Sequence, residues 1–193
     1  MGLNLKLIKG ELSIVINNAL QSFQGLNSLQ SIGGDFSVYN NNALQSFEGL
    51  DKLQTIEGNF IVGKYNDYYS GNDALQSFQG LSSLQSIGGD FSVYYNKALQ
   101  SFEGLNTLNS IGGNFIIYHN YKGNYGNYSG LNTLDGLNQL KTVSGKLNIY
   151  YNKNLSDYCA IKALLSTNGV SGSISSNKYN PTVEQIINGE CSQ

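Results

Sequence analysis

His119 is the single histidine of the chain. No triad of nucleophile, imidazole and acid stands around it, and a metal site of several imidazoles is excluded. It is expected either to meet a ligand from a loop corner or to be an incidental surface residue. Carboxylates recur in columns, Asp35 with Asp90 and Glu48 with Glu103. Two carboxylates flanking a sugar can hydrolyse a glycosidic bond. Here each pair arises by copying of a repeat and no cleft is evident, so solvated ladder positions are expected instead. Cys159 lacks a base that would make it a nucleophile. The reading is therefore of a non-enzyme, with no catalytic residue, no metal ligand and no cofactor.

Tyrosine, present 14 times beside no tryptophan, carries a different chemistry. A phenol ring offers contact area with a polar tip at low entropic cost, and Asn, Ser and Gly around it supply adaptable hydrogen bonds and turns. Tyr39, Tyr94, Tyr118 and Tyr150 recur at one repeat position, where repeat copying is an equal explanation. Tyr65, Tyr68, Tyr69, Tyr121, Tyr125 and Tyr128 sit in two irregular insertions, GKYNDYYSGND (63–73) and YHNYKGNYGNYSG (118–130). Long loops on a rigid scaffold are where recognition concentrates. The ligand-binding set read from the sequence is Tyr65, Tyr68, Tyr69, Tyr94, Tyr118, His119, Tyr121, Tyr125 and Tyr128.

What must position these residues is a repeat. The stretch ALQSFQGLNSLQSIGGDFSVY (19–39) returns at 74–94 with one change, Asn27 against Ser82. Aligned on Gly10, Gly34, Gly58, Gly89, Gly113 and Gly145, the steps are 24, 24, 31, 24 and 32 residues. After each glycine comes a period-two segment such as Phe36-x-Val38, which reads as a strand. An asparagine follows at a turn (Asn17, Asn41, Asn96, Asn120, Asn152), and then Leu-x-x-Phe-x-x-Leu-x-x-Leu-x-x-Ile, in the second repeat Leu44 to Ile56. Spacing by three suggests a helix, but Gly25, Gly49, Gly80, Gly104 and Gly136 recur inside it, so short extended or 3₁₀ pieces joined by corners are expected. Identical residues would then stack into ladders about 4.8 Å apart. Repeats of this kind hide their apolar side only against their neighbours. Both insertions are expected to interrupt the same corner, two repeats apart, and to form one surface.

The pattern L-x-x-I-x-G-x-F-x-V followed by N-x-x-L resembles the receptor L-domain, a leucine-rich, right-handed β-helical module of insulin- and epidermal-growth-factor-type receptors. The resemblance covers roughly Leu5 to Leu155. It implies a mostly all-β fold, a right-handed β-helix-like solenoid of about six 24-residue rungs. The tail, NLSDYCAIKALL with a later YNPTVEQIINGEC, looks like the terminal cap of leucine-rich secreted or surface proteins of Bacteroidetes-type bacteria. Receptor modules carry several disulfides and this chain has one possible pair, so hormone binding is not carried over.

One domain, 1–193, is expected, with rungs over 3–153 and a small helical cap over 154–193. In the cap, Ser156 or Asp157 would start a helix through Leu165, and Asn180-Pro181 a second one over Val183 to Ile187. Cys159 and Cys191 both lie in this non-repetitive tail. A disulfide between them would stabilise it by roughly 3–4 kcal/mol; two buried free thiols are the alternative. The net charge of −2, with 12% charged residues and no local Lys/Arg run, argues against nucleic acid and anionic membranes as partners. No apolar run is long enough to insert in a bilayer. The first residues lack the charged and apolar regions of a signal peptide, so either a cytosolic protein or a mature or excised piece is expected, and the cysteines favour the second, exported and extracellular or at the cell surface. The function expected is adhesion or binding of a protein or carbohydrate ligand. Two alternatives stand: an ice surface met by the hydroxyl columns Ser22, Ser46, Ser77, Ser101 and Ser31, Thr55, Ser86, Ser110, Thr142, or a purely structural scaffold.

Overall fold

The computed structural model describes residues 4–65, 70–123 and 129–193. Each repeat contributes one short and one longer strand. The short ones are β1 (Leu7–Ile8), β3 (Ser31–Ile32), β5 (Thr55–Ile56), β7 (Ser86–Ile87), β9 (Ser110–Ile111) and β13 (Thr142–Val143), which form a six-stranded sheet in that order. The longer ones are β2 (Leu12–Val15), β4 (Phe36–Tyr39), β6 (Phe60–Val62), β8 (Phe91–Tyr94), β10 (Phe115–Tyr118) and β14 (Leu147–Tyr150). With β15 (Gly172–Ser175) they make a seven-stranded sheet. Every pair within these two sheets is parallel and in register, so Phe36 faces Phe60, Phe60 faces Phe91 and Phe91 faces Phe115. The result is a mainly-β, solenoid-like fold.

Between the sheets, the Leu-x-x-Phe stretch is a run of corners. Leu44, Leu50 and Leu53 amides each donate to the carbonyl three residues back, of Asn41, Phe47 and Leu50. The intervening amides turn outward along the stack: Gln45 donates to Gln21 and Phe47 to Gln79. A continuous helix would need those amides for itself. Gly80, with φ of 103°, lies so close to the Phe47 carbonyl that a Cβ would collide with it, so only glycine closes this corner at the observed stacking.

The interior is two interlocked columns of phenylalanine. Phe36, Phe60, Phe91 and Phe115 stack at 5.2, 5.1 and 4.9 Å between centroids, and Phe23, Phe47, Phe78 and Phe102 at 5.5, 5.5 and 5.2 Å. Rings of one column meet the other edge-on, as Phe78 does Phe91 at 5.7 Å. Each such pair adds about 0.5–1.5 kcal/mol beyond area burial.

The tail is less purely helical than expected, because β15 continues the long sheet with Ile174 opposite Ile149. A 3₁₀ turn (Cys159–Ile161) leads into α1 (Lys162–Asn168), and α2 is Val183–Asn188. The second helix starts at Thr182 rather than at Asn180-Pro181. Thr182 and Gln185 form a reciprocal capping box, while the Asn180 side chain accepts from the Asn177 amide and is not available as a cap. The Cys159–Cys191 disulfide joins the two helical segments. No helix among the described residues is long and apolar enough to cross a membrane.

Candidate functional site

A buried asparagine ladder runs the length of the turn that follows the long strands. The backbone amides of Asn17, Asn41, Asn72, Asn96, Asn120, Asn152 and Asn177 each donate to the Oδ1 of the next asparagine at 2.9–3.1 Å, the last acceptor being Asn180. Interior Nδ2 groups cap the carbonyls of the strand beneath, as Asn96 does Val62 at 3.0 Å. Asn72 and Asn177 belong to this ladder although the sequence pattern did not single them out. The first is displaced from its strand by an insertion, and the second follows a strand that begins with Gly172 in place of a large apolar residue.

Six residues that immediately precede a ladder asparagine take a left-handed backbone, Gly71 before Asn72 being the exception. Ile16, Asn40, Tyr95, His119, Tyr151 and Ser176 have φ of 53–60°. For an L side chain this costs roughly 1–2 kcal/mol, and Asn, as at position 40, bears it best. Three successive equivalent positions nevertheless carry Tyr95, His119 and Tyr151. Strain kept at such side chains points to a functional use.

The insertions enter this turn from opposite sides of the ladder. The first leaves between β6 and Asn72 and is closed by an antiparallel bridge, Lys64 to Ser70. The second leaves after Asn120 and is closed by β11 (Tyr121–Lys122) paired with β12 (Ser129–Gly130). The expectation that both interrupt the same point is thus refined. They share the turn and flank its ladder. Gly63 is held against the Tyr94 carbonyl, where a Cβ would not fit, which pins the first insertion onto the next repeat.

The structure brings five of the expected residues into one aromatic cluster. Tyr94 and Tyr118, at the ends of β8 and β10, are 6.4 Å apart. Tyr65 from the first insertion is 5.3 Å from Tyr118, edge-on, and 6.0 Å from Tyr94. His119 packs 4.4 Å from Tyr121 of the second insertion. Tyr68, Tyr69, Tyr125 and Tyr128 lie outside the described residues. Two members were missed by the sequence reading. Tyr95 is 4.8 Å from His119 and nearly buried at 4% exposure, and Tyr151 is 5.6 Å from Tyr118. Their signal was present, since each immediately precedes a ladder asparagine as His119 does. Tyr65 is 62% and Tyr151 45% exposed, so the cluster opens to solvent at both ends.

Lys64 lies over the Tyr39 ring at 5.2 Å and Lys153 over Tyr151 at 5.5 Å. Burial holds the His119 pKa below its ordinary value, aided by the charges of Lys153 and Lys97 and opposed by a backbone hydrogen bond. Burial likewise raises that of the Tyr94 phenol, helped by Asp90 and opposed by a hydrogen bond to Ser92. The His119 and Tyr94 rings are therefore uncharged at neutral pH, with Lys64 and Lys153 beside the cluster.

The aspartate column takes a structural part, whereas Glu48 and Glu103 are exposed at their corners. Asp35 Oδ1 accepts from the Asn59 amide at 2.7 Å, and Asp90 Oδ1 from that of Asn114 at 2.6 Å. They alternate with asparagines along the stack. Among the described residues, no three His, Cys, Asp or Glu side chains converge on a point where a metal ion could sit.

Parallel sheets in register and an asparagine ladder define a mainly-β, solenoid-like scaffold that carries an aromatic edge. Residues 6–98, just under half of the chain, match the family model described as Receptor L domain, so this stretch is similar to that family. The family is one of ligand-binding, non-catalytic modules, and with the disulfide it points to an extracellular or surface domain. No curated protein and no solved structure matches the chain.

Proposed function

We propose that this protein is a non-enzymatic adhesion or ligand-binding module that recognises a glycan or a protein through the tyrosine-rich edge of its solenoid. The observation that supports this most is the aromatic cluster itself. Tyr65, Tyr94, Tyr118, His119 and Tyr121 come from two repeats and two insertions, yet their rings meet within 4.4–6.4 Å. A core does not need them there, because the phenylalanine columns already fill the interior. Tyrosines held by a rigid sheet lose little entropy on binding.

The hydroxyl rank Ser31, Thr55, Ser86, Ser110, Thr142 is in register on the short sheet, as an ice-binding face would require. It is dominated by serine and flanked by Gln30, Gln54 and Gln85, so it is the weaker reading.

The test is a glycan and protein array probed with two forms of the protein. In the second, both insertions are replaced by the plain turn 39–42. Far-UV circular dichroism and melting should be nearly unchanged, since a surface loop adds little to a solenoid core. Ligands captured by the native form should be lost. Unchanged capture by the shortened form would remove the insertions from the site and leave the regular strand face as its place.

A further inference from the structure

Five of the eleven basic residues stand along the edge that carries the tyrosines, although no two are near one another in sequence. Lys97, Lys153 and Lys178 each follow a ladder asparagine, namely Asn96, Asn152 and Asn177. Lys64 and Lys122 belong to the pairs that close the two insertions. Each therefore comes from a different one of five successive repeats. At the stacking distance of about 4.8 Å they span roughly 19 Å along the solenoid axis. The charge is also weakly countered. Lys64 and Lys153 rest on tyrosine rings. Lys97 pairs with Asp73 at 2.9 Å, both groups being nearly half exposed, a pairing weak enough to exchange for a ligand anion. Glu48, Asp51, Glu103 and Asp135, by contrast, lie on the Leu-x-x-Phe corners and not on this edge. A chain with net charge −2 thus has a locally cationic border.

We infer that this edge binds an extended acidic polysaccharide, with carboxylate or sulfate groups meeting the lysine rank and sugar rings lying on Tyr65, Tyr118 and Tyr151. This rests on the binding reading above and narrows its ligand class. One cation per repeat at a fixed spacing suits a ligand whose anions also repeat, which a folded protein surface does not offer. Exposed aromatic rings flanked by cations fit the C–H face of a sugar carrying an acidic substituent. A single-stranded nucleic acid shares the polyanionic and stacking chemistry. The disulfide points to an oxidising compartment outside the cytosol, which favours polysaccharide over nucleic acid as the polymer met there.

The experiment is titration calorimetry of the whole protein with four probes of similar length: a sulfated uronic-acid oligosaccharide, a polygalacturonate oligomer, a neutral galactan oligomer and oligothymidylate. At least one acidic sugar should bind, and its affinity should fall about tenfold or more between 50 and 200 mM NaCl, as expected for release of counterions from about three contacts. The double variant Lys64→Gln/Lys153→Gln should lose at least tenfold, whereas Lys52→Gln/Lys162→Gln, the same charge change elsewhere, should lose less than twofold. Tyr118→Ala should weaken binding at every salt concentration. Equal binding of the neutral oligomer, unaffected by the lysine variants but lost with Tyr118→Ala, would overturn the inference and leave the binding reading standing. Tighter binding of oligothymidylate would overturn it in favour of nucleic acid. No binding of either acidic sugar, while the array still captures a ligand, would overturn it too.

Discussion

Replacing Asn96 by alanine should cost far more than replacing Asn17, although both occupy the same place in their repeats. Asn96 is completely buried. Its Oδ1 accepts from the Asn72 amide at 3.0 Å, and its Nδ2 donates to the carbonyls of Val62 and Tyr94, each at 3.0 Å. Asn96→Ala orphans one amide and two carbonyls where no water reaches them, at about 1–3 kcal/mol for each buried group left unpaired. With the carbonyls near the low end, the sum is about 3–6 kcal/mol. Asn17 is exposed, and its side chain donates one bond, to the Val15 carbonyl at 3.0 Å. Its backbone amide still reaches Asn41 after substitution, so Asn17→Ala should cost less than about 1 kcal/mol. Urea unfolding followed by circular dichroism measures both. With a slope of about 2 kcal/mol per molar urea, the Asn96 midpoint should fall by about 1.5–3 M and that of Asn17 by under 0.5 M. Equal shifts would refute the idea that the ladder's worth lies in satisfying buried backbone.

Two further outcomes are expected. Alkylation without reductant should leave Cys159 and Cys191 unlabelled by mass, and the double Cys→Ser variant should lose about 3–4 kcal/mol by the chain-entropy estimate for a closed loop of 32 residues. His119 should titrate by NMR below its ordinary 6.5, chiefly because it is buried. The unfolded chain then binds the extra proton first as pH falls. The stability contributed by neutral His119 should be complete above about pH 6.5 and decline below it until the folded value is passed. A titration at or above 6.5 would contradict the burial argument.

Most of the scaffold was legible because its signals are periodic. The glycine steps, the Phe-x-Val strands and the glycines that exclude a helix from Leu44 to Ile56 each state a local preference that stacking then repeats. Where an insertion or an atypical strand broke the period, legibility fell. Asn72 and Asn177 could be assigned only once their neighbours were known, and Asn180 resembled a helix cap while belonging to a ladder. The candidate site was half legible. Composition marked the insertions, but Tyr95 and Tyr151 enter it through a backbone conformation that no composition reveals. The lysine rank was invisible to a search for a basic run, because its members are about 25–33 residues apart in sequence and one repeat apart in space.

The pinched bases of the two insertions separate what the loops contain from what holds the molecule together. Lys64 meets Ser70, and Tyr121–Lys122 meet Ser129–Gly130, before the chain rejoins the asparagine ladder. Each repeat is therefore closed whether or not a loop follows, and loop length enters stability only through a logarithm, about 0.6 kcal/mol for each doubling. Sequence drift beyond the pinch is almost silent to the scaffold. If the edge binds as proposed, it can acquire, exchange or lose specificities while the core remains under separate selection, much as a socket accepts different fittings.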